Sequence, residues 1–517
     1  MTASANLAAV LEAGATRGGW GEDVAFLAGD RAVTHAEVHD GGARAASVLA
    51  GRGVSRGDAV LMALPDGPEL VWAFLGAVRL GAVAVLVNPR LTVADHRHLA
   101  ADAGARVVVC DAGLAARFEG RAVVHADSLE AALGHHPPAS PAEVGPAEAA
   151  YVQYTSGTTG TPKGAVHAHG HPPVYFEAFA RRAIALDRAD VVLSVSKLYF
   201  AYGLGNALFF PLLAGCRAVL HAAHPRPDDV ADLVGRHRVS VLYSVPTFFA
   251  HLVATGRPEA LASLRVAVSA GEPLGVALAE RVRAFLGCPV LDGIGSTEVG
   301  QTFASNTLDE WRAGTVGRAL PPYRVRVGDD EGREVGPGRV GLLWVAGPTL
   351  LLRYVGRDAE PPNRRGEWLC TGDRAELDGD GRVCLRGRAD DIELVGGISV
   401  SPLEIEAVLA RHPAVTEVAV AAVVAADGSS CLRAFVVPAA DLALDLVAAD
   451  VVALARAELA PFKVPRSVTF VDALPRTPTG KLRRFVLRAG GWPPEEAGAS
   501  RPPPPTGIGS AAPAPAD

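Results

Sequence analysis

Residues Tyr154 to Gly164 read Tyr-Thr-Ser-Gly-Thr-Thr-Gly-Thr-Pro-Lys-Gly. Five of these residues are serine or threonine, three are glycine, and one is a lysine, Lys163. Glycine lets the backbone curl and approach a ligand closely, and hydroxyls, backbone N–H groups and a cation together suit a polyphosphate. Clusters of Gly, Ser, Thr and Pro also occur in ordinary surface turns, but the length and order of this run favour a phosphate-binding loop.

The run is not a Walker motif, which requires Gly, four residues and then Gly-Lys-Ser/Thr. Pro162, not Gly, precedes Lys163. A second Gly-Lys pair ends at Lys481, but Pro475 stands where the first Gly of a Walker motif would be. The sequence therefore disfavours a P-loop kinase or ATPase.

Length and composition indicate a multidomain globular protein. The chain has 517 residues, of which 49% are hydrophobic and 20% charged, and its formal net charge is −7. So long a chain is expected to divide into two or more domains. Its mild acidity gives no reason to expect nucleic acid or an anionic membrane as a partner. No apolar run reaches the roughly 18 residues needed to span a bilayer.

The N-terminal residues and the cysteines favour a cytoplasmic location. The N-terminal segment lacks a basic stretch followed by an apolar core, so we expect no signal peptide. The six cysteines are scattered, without a Cys-x-x-Cys pair, which favours reduced and mostly buried thiols.

Apolar runs that read as strands alternate with runs that read as helices. This alternation predicts parallel sheets covered by helices on both faces, in which ligands bind beyond the carboxyl ends of the strands. The phosphate loop follows the strand-like residues 149–154, which is the expected side. The other predicted strands are residues 58–65, 82–87, 191–195, 218–221, 239–245, 266–269 and 290–294, with helices at residues 69–80, 228–237, 247–254 and 276–286.

The predicted fold class is α/β, with a large N-terminal domain at residues 1–389 and a small mobile α+β domain at residues 390–488. We expect residues 489–517, which are rich in Pro, Gly and Ala, to be disordered. The remaining predictions are short strands at residues 336–348 and 381–387, which give the large domain a small β-barrel-like part, and, in the small domain, helices at 402–411 and 446–459 and strands at 415–424 and 432–437.

The run at residues 154–164 resembles the phosphate loop of the adenylate-forming superfamily, which comprises acyl-CoA synthetases, aryl-CoA ligases, peptide-synthetase adenylation domains and luciferases. Further signatures of that superfamily follow in its order. They read Ser-Ala-Gly-Glu-Pro at residues 269–273, Asp-Gly-Ile-Gly-Ser-Thr-Glu at 292–298, Trp-Leu-Cys-Thr-Gly-Asp at 368–373, Gly-Arg-Ala-Asp-Asp at 387–391 and Leu-Pro-Arg-Thr-Pro-Thr-Gly-Lys at 474–481.

The resemblance implies that the large domain binds ATP and Mg²⁺. Thr297 and Glu298 would meet the phosphates, and Glu298 would help to hold Mg²⁺, which prefers one or two carboxylates together with substrate phosphates. The residues implied for the phosphate loop are Thr155, Ser156, Gly157, Thr158, Thr159 and Lys163.

The same resemblance assigns residues to the rest of the nucleotide. Gly271 and Glu272 belong to the segment that passes the adenine. Asp373 would accept hydrogen bonds from the ribose hydroxyls, as an ionised carboxylate can. Arg388 would contact the ribose–phosphate side.

The superfamily also implies a moving small domain. Lys481 would enter the active site in the first half-reaction and neutralise charge on the transferring phosphoryl oxygens. The small domain would then turn about Asp390 and withdraw Lys481, and Gly396 and Gly397 would line a narrow passage for a phosphopantetheine thiol.

The segment at residues 197–206, Lys-Leu-Tyr-Phe-Ala-Tyr-Gly-Leu-Gly-Asn, resembles benzoate-CoA ligases more than fatty acyl synthetases. Many relatives carry His at the position of Phe200, where benzoate-type enzymes resemble this chain in having an aromatic residue. Small and aromatic side chains suit a planar ring. The implied pocket residues are Phe200, Ala201, Tyr202, Gly203, Gly293, Gly295, Gly300 and Gln301.

Gly300 and Gln301 depart from the benzoate ligases, which carry a bulkier residue and then His. Glycine would enlarge the pocket, and Gln offers an amide donor and acceptor. A hydroxy- or aminobenzoate, or a larger bicyclic aryl acid, would use this room and polarity. The alternating His167, His169 and His171 would share one face of a strand, which is compatible with a metal site, but no further ligand stands at metal-like spacing.

The expected activity is therefore that of an aryl-CoA ligase, which converts an aryl acid and ATP into an aryl-AMP and then a thioester. CoA is the expected thiol acceptor, and an acyl carrier protein bearing the same phosphopantetheine arm is the alternative. Two other readings stay open: luciferase-type oxygenation, and a nucleotide-binding relative without catalytic activity.

Overall fold

The computed structural model describes residues 5–155, 162–357, 361, 363–389, 393–395, 398–424, 430–439, 444–460, 463–476 and 482–488. The predicted tail at residues 489–517 lies outside this part of the chain. So do the predicted hinge residue Asp390, the glycines Gly396 and Gly397, and the lysine Lys481.

Two large, mostly parallel sheets dominate the described structure. In the first, six neighbouring strands are parallel and the strands at its ends are antiparallel, and the order across the sheet is Arg318–Ala319, Thr302–Ser305, Val290–Gly295, Val266–Ser269, Val241–Ser244, Val191–Ser194, Arg217–Leu220, Val24–Ala28 and Arg31–Thr34. The second has the order Arg353–Tyr354, Lys163–Ala168, Ala149–Thr155, Val83–Leu86, Ala59–Ala63, Val107–Cys110 and Ala122–His125.

Helices pack on both faces of these sheets, as the alternation of apolar runs predicts. A single apolar core extends from one sheet to the other and includes the rings of Phe74, Tyr151 and Phe209, whose centroids lie 5.6 to 6.2 Å apart. The helices of the large region are Leu7–Gly18, His35–Gly51, Pro68–Arg79, Val93–Asp102, Ala126–Leu133, His171–Tyr175, Ala201–Leu204, Phe210–Ala214, Pro227–His237, Pro246–Ala254 and Val276–Leu286.

Local sequence signals explain where several helices begin and end. The Thr34 hydroxyl accepts the backbone N–H of Glu37, and the Glu37 carboxylate accepts the backbone N–H of Thr34, which together form a capping box before His35–Gly51. Gly287, in the left-handed conformation, ends Val276–Leu286. The helices at His171–Tyr175 and Ala201–Leu204 continue into wider π-helical turns, Phe176–Arg181 and Gly205–Phe209.

An antiparallel sheet follows the parallel ones and forms the smaller β part of the large region. Its described strands are Arg324–Gly328, Gly341–Ala346, Arg364–Arg365, Trp368–Leu377 and Val383–Arg388. Asp373 and Arg388 are register partners on the last two strands.

The C-terminal region has its own apolar core, built on a mixed sheet with helices against it. Its described elements are the strands Glu393–Val395, Ile398–Val400, Val415–Val424, Ser430–Pro438 and Ser467–Phe470 and the helices Pro402–Leu409, Leu444–Glu458 and Arg484–Arg488. The predicted α+β character of this region agrees with the structure. No helix among the described residues is long and apolar enough to cross a membrane.

Candidate active site

The phosphate loop leaves the second sheet at one strand and returns at the next. Thr155 is the last residue of Ala149–Thr155, Lys163 is the first of Lys163–Ala168, and the two are register partners across these antiparallel strands. The predicted loop residues between them, Ser156, Gly157, Thr158 and Thr159, lie outside the described part of the chain. The two strands therefore hold both ends of the loop at the end of the sheet where its parallel strands finish.

The acidic turn, residues 296–300, connects the strands Val290–Gly295 and Thr302–Ser305 of the first sheet. It carries Thr297 and Glu298. The Tyr354 hydroxyl donates to Glu298 Oε1 at 3.1 Å, and Lys163 Nζ lies 6.0 Å from the centroid of the same tyrosine ring. Tyr354 thus contacts the predicted Mg²⁺ ligand with its hydroxyl and the predicted phosphate-binding cation with its ring.

Three successive backbone carbonyls of the acidic turn accept hydrogen bonds from two other segments, the strand Lys163–Ala168 and residues 349–351. His167 Nε2 lies 2.7 Å from the Thr297 oxygen, the Leu351 N–H donates to the Glu298 oxygen at 2.7 Å, and the Thr349 hydroxyl donates to the Val299 oxygen at 2.8 Å. Since each donor comes from outside the turn, the rest of the fold fixes the turn's conformation.

The segment at residues 269–273 lies beyond the carboxyl end of strand Val266–Ser269, which is where such sheets bind ligands. Gly271 has a φ of +91°, in the region that favours glycine. The Glu272 carboxylate accepts a hydrogen bond from the Thr247 hydroxyl and a charged one from Arg476, both at 2.7 Å. Arg476 precedes Lys481 by five residues, so Glu272 ties this segment to the C-terminal region.

Asp292, in the middle of the neighbouring strand Val290–Gly295 and opposite Ser269, is a buried carboxyl to which the sequence alone assigned no role. Its Oδ2 accepts the Leu274 N–H at 3.4 Å, and its Oδ1 has no hydrogen-bond partner among the described residues. Burial raises the pKa of Asp292 well above its ordinary value. The unpaired oxygen beside residues 269–273 is the signal that would have identified it, and it is visible only in three dimensions.

Asp373 and Arg388 face each other on adjacent antiparallel strands. Arg388 Nη1 lies 3.3 Å from Asp373 Oδ1 and donates to the Thr371 carbonyl at 3.1 Å. Both side chains remain partly accessible, so the pair presents a carboxylate and a guanidinium side by side to a ligand.

The predicted acid pocket draws on two segments far apart in sequence, and the structure places them in contact. Gln301 Nε2 lies 3.4 Å from the Tyr202 carbonyl and 3.4 Å from Asn206 Oδ1, and Gln301 is 2% exposed. Phe200 immediately precedes the helix that starts at Ala201, and the Tyr202 ring meets the Tyr243 ring edge-on, with centroids 6.2 Å apart.

The predicted pocket glycines are sites of close backbone approach. A Cβ on Gly203 would lie 2.1 Å from the Lys197 carbonyl oxygen, and one on Gly295 would lie 2.8 Å from that of Gln301. A Cβ on Gly293 would meet the Ser305 hydroxyl at 3.0 Å, and one on Gly300 would meet His167 and Tyr175 at 3.2 Å. These positions accept no side chain without local movement.

Mg²⁺ fits the chemistry of the acidic turn. Among the described residues, no three His, Cys, Asp or Glu side chains cluster in a way that could hold a metal ion by themselves. A single carboxylate such as Glu298, complemented by substrate phosphates, matches the usual mode of Mg²⁺ binding. The three alternating histidines diverge: His167 contacts His171, whereas His169 Nδ1 accepts the N–H of Leu7 at 3.1 Å.

Two family profiles match the chain. The AMP-binding enzyme family matches residues 14–355, and the AMP-binding enzyme C-terminal domain matches residues 404–481. Together they cover most of the signatures quoted above.

Named relatives act on aryl acids. The chain is 45% identical over 485 residues to the p-hydroxybenzoic acid–AMP ligase FadD22 of Mycobacterium tuberculosis, covering 93% of this chain and 68% of the relative. It is 36% identical to the 4-hydroxybenzoate–CoA/benzoate–CoA ligase of Rhodopseudomonas palustris, with 91% of each chain covered.

Solved structures of aryl-CoA ligases are similar to the whole described fold. The anthranilate CoA ligase AuaEII, in complex with anthranoyl-AMP, has a TM-score of 0.90 at 30% identity, and the alignment covers 95% of this chain and 98% of that one. A benzoate CoA ligase from Burkholderia xenovorans LB400 has a TM-score of 0.87 at 34% identity, with 93% and 99% covered. The chain belongs to the AMP-binding enzyme family, and within it to the ATP-dependent ligases of aryl carboxylic acids.

Proposed function

We propose that this ligase activates a hydroxybenzoate-type acid as its aryl-AMP and transfers the aryl group to a phosphopantetheine thiol. The observation that carries the proposal is the convergence of Lys163 and Glu298 on Tyr354. This contact joins the end of the phosphate loop on one sheet to the acidic turn on the other. A cation and a carboxylate held together at the carboxyl edges of two parallel sheets suit a nucleoside triphosphate with its metal ion.

In the first half-reaction, a carboxylate oxygen of the acid attacks the α-phosphorus of ATP, and pyrophosphate leaves with the electron pair of the broken P–O bond. Lys163 and the loop hydroxyls, Thr155, Ser156, Thr158 and Thr159, would bind the β- and γ-phosphates, with Gly157 giving the loop its turn. Thr297 and Glu298 would bind the phosphates and Mg²⁺, which when bound neutralises phosphate charge.

The remaining nucleotide contacts follow from the described geometry. Asp373 would accept the ribose hydroxyls, with Arg388 on the ribose–phosphate side. Gly271 and Glu272 would border the adenine, and the unpaired Asp292 oxygen is an acceptor suited to an exocyclic amino group.

Domain movement would separate the two half-reactions. In the first, Lys481 would stabilise the transferring phosphoryl group. Arg476 bonds to Glu272, and five residues span up to about 17 Å, so the length of chain between Arg476 and Lys481 would allow Lys481 to reach the nucleotide. A turn about Asp390, between domains at residues 1–389 and 390–488, would then bring Gly396 and Gly397 to the thiol passage.

The second half-reaction uses the thiol. Its sulfur attacks the aryl-AMP carbonyl carbon, the thiol proton is lost to solvent, and AMP leaves with the electrons of the acyl–phosphate bond. The acyl–oxygen bond to AMP is therefore broken, and an acyl–sulfur bond is formed.

The ring substituent is inferred from the pocket and from the relatives. Gln301 and Tyr202 put polar groups beside aromatic ones, and the relative at 45% identity is named for p-hydroxybenzoic acid. We therefore expect p-hydroxybenzoate to be preferred over benzoate. Phe200 and Ala201 would contact the ring faces.

CoA is the proposed acceptor, because the structurally similar benzoate and anthranilate enzymes are CoA ligases. A carrier protein is a second candidate, favoured by the fact that the relative at 45% identity is named as an acid–AMP ligase. Thioester formation from purified aryl-AMP, with CoA in one arm and a phosphopantetheinylated carrier protein in the other, separates the two.

The proposal is tested by acid-dependent exchange of labelled pyrophosphate into ATP, over a panel of substituted benzoates. We expect exchange with p-hydroxybenzoate, and its absence with every acid would favour a nucleotide-binding protein without catalysis. Lys481→Ala should abolish exchange but spare thioester formation from premade aryl-AMP. Equal loss of both activities would contradict the assigned role of Lys481.

A further inference from the structure

A buried histidine pair lies directly behind the acidic turn. His167 is fully buried and His171 is 6% exposed. His167 Nε2 lies 2.7 Å from the Thr297 carbonyl oxygen, and the two Nδ1 atoms lie 3.1 Å apart. The Tyr151 ring stacks on His167, with centroids 5.2 Å apart and planes 20° from parallel. The nucleotide contacts proposed above leave this pair unused.

The tautomers follow from the hydrogen-bond partners. A carbonyl only accepts, so His167 Nε2 carries the proton that it donates to Thr297. A neutral imidazole carries a single proton, so with that proton on Nε2 the Nδ1 of His167 is an acceptor. His171 Nδ1 must then be protonated and donate to it. The Ala168 N–H, 3.4 Å from His171 Nδ1, cannot bond to that nitrogen in this tautomer, since a protonated ring nitrogen does not accept.

The position of His167 in the fold means that its bond to Thr297 connects the phosphate-loop strand with the acidic turn. His167 stands four residues after Lys163 on the strand Lys163–Ala168, so both side chains lie on the same face of the second sheet. Thr297 lies in the turn that connects two strands of the first sheet. The bond from His167 therefore sets the acidic turn against the strand that ends the phosphate loop.

We propose that His167 is a positioning residue for the nucleotide half-reaction: its Nε2–H holds the Thr297–Glu298 turn in register with Lys163, and His171 maintains the tautomer that donates. The proposal rests on the assignment of Thr297 and Glu298 to the metal–nucleotide complex. It predicts that losing the donor weakens use of ATP and leaves use of the aryl acid unchanged.

The test compares His167→Gln, whose amide N–H can reach the place of Nε2, with His167→Asn and His167→Leu, which cannot supply that donor. We expect the KM for Mg·ATP in pyrophosphate exchange to rise about tenfold in the Asn and Leu variants, the size expected for one lost hydrogen bond. His167→Gln should stay within about threefold of the parent. The KM for p-hydroxybenzoate and thioester formation from premade aryl-AMP should not change.

His169→Gln is the matched control, because His169 is a buried histidine on the same segment that bonds to Leu7 rather than to the turn. Equal KM values for Gln, Asn and parent enzymes would overturn the proposal, as would a parallel rise in the KM for the acid. If His167→Leu fails to fold, the comparison of His167→Gln with His167→Asn still tests the proposal. Glu298→Ala separates the proposed role of the acidic turn from the positioning role of His167. If Glu298→Ala leaves the KM for Mg·ATP unchanged, the proposed function of the turn is wrong. If Glu298→Ala raises that KM strongly and the His167 variants do not, only the positioning role of His167 is wrong.

Discussion

At the scale of single residues, Tyr354 contacts two chemically different parts of the proposed nucleotide site. Its hydroxyl bonds to Glu298 and its ring lies under Lys163. It is 6% exposed, so its hydroxyl has little access to water as an alternative partner. Nothing in the local sequence around residue 354 marks it, because its role arises from a strand pairing with residues 165 and 166.

Tyr354→Phe should raise the KM for Mg·ATP by about tenfold while leaving the KM for the acid near the parent value. The variant keeps the ring below Lys163 and removes the donor to the Glu298 carboxylate, a charged hydrogen bond of about 1.5–3 kcal/mol. Pyrophosphate exchange as a function of ATP concentration measures the effect. Tyr243→Phe is the control, since the buried Tyr243 hydroxyl has no hydrogen-bond partner among the described residues. Identical ATP dependence in both variants would show that the Tyr354 hydroxyl does not orient Glu298.

Gly300 has a second constraint besides its proposed place in the pocket. Its φ is +91°, which costs an ordinary residue about 1–2 kcal/mol, and its Cβ direction points at His167 and Tyr175. Gly300→Leu should therefore lower exchange with every acid and lower it most for the bulkiest ring. An equal loss of exchange with every acid would show that Gly300 does not line the acid pocket. Undiminished exchange would contradict the backbone-strain argument as well.

The sequence proposes residues for the site but not the contacts among them. Thr155, Lys163, Glu298, Asp373 and Arg388 all lie in quoted signatures, and the structure pairs Thr155 with Lys163 and Asp373 with Arg388. His167, Thr349 and Tyr354 bond to the acidic turn from 50 to 130 residues away. Such partners leave no local pattern, so only the folded chain reveals them.

At the scale of elements, the pattern of apolar residues predicts the bounds of the buried parallel strands to within a few residues. The predicted strand at 266–269 and helix at 276–286 have the observed bounds, and the strand predicted at 290–294 extends one residue further. Apolar runs bounded by turn residues carry this information locally. The strand Lys163–Ala168 was not predicted as a strand, because it is antiparallel and its pairing with Ala149–Thr155 is decided across the loop. The two π-helical turns likewise lack a local signal.

The contact between the C-terminal region and the helix Pro246–Ala254 is an ionic network. Arg476 bonds to Glu272 at 2.7 Å and to Glu417 at 2.5 Å, and His251 Nε2 lies 2.9 Å from the other oxygen of Glu417. Burial would raise the pKa of Glu417, but the bond from His251 and the charge of Arg476 outweigh it, so its pKa lies below the ordinary value. The carboxylate is therefore stabilised in its charged form.

Arg476→Ala should impair the first half-reaction several-fold and spare the second. The change removes the cation that bridges Glu272 and Glu417, and with it the hold on the chain five residues before Lys481. Pyrophosphate exchange and thioester formation from premade aryl-AMP measure the two halves. Arg466→Ala, at an exposed arginine of the same region, should change neither. A larger loss in thioester formation would mean that this network belongs to the thiol-accepting arrangement instead.

At the scale of the whole molecule, several buried histidines have a lowered pKa because they are shielded from water. His35 and His39 stand on the helix His35–Gly51, and neither ring nitrogen of His35 has a hydrogen-bond partner among the described residues. Burial lowers the pKa of each to about 4; the charge of His39 lowers that of His35 further, whereas Glu12 partly opposes the shift at His39. The same cause acts on His169, whose pKa is also lowered to about 4.

These histidines should make stability fall as the pH drops below about 6.5. In the unfolded chain they bind protons near pH 6.5, whereas in the folded chain they stay neutral down to about pH 4, so between these values the unfolded state holds more protons. Stability therefore rises with pH across this window, by up to about 1.4 kcal/mol per pH unit for each histidine. Their contribution is complete above pH 6.5 and is lost progressively towards pH 4.

Thermal unfolding at pH 5.0, 6.0, 7.0 and 8.0 measures this effect, and His39→Leu isolates it from the titration of carboxylates. The variant should lose less Tm than the parent between pH 7 and pH 5, because a leucine cannot be protonated on unfolding. His98→Leu, at an exposed position of another helix, should keep the parent slope. If His39→Leu and the parent lose Tm equally on acidification, then His39 accepts a proton in the folded protein, and its surroundings are polar enough to stabilise that charge.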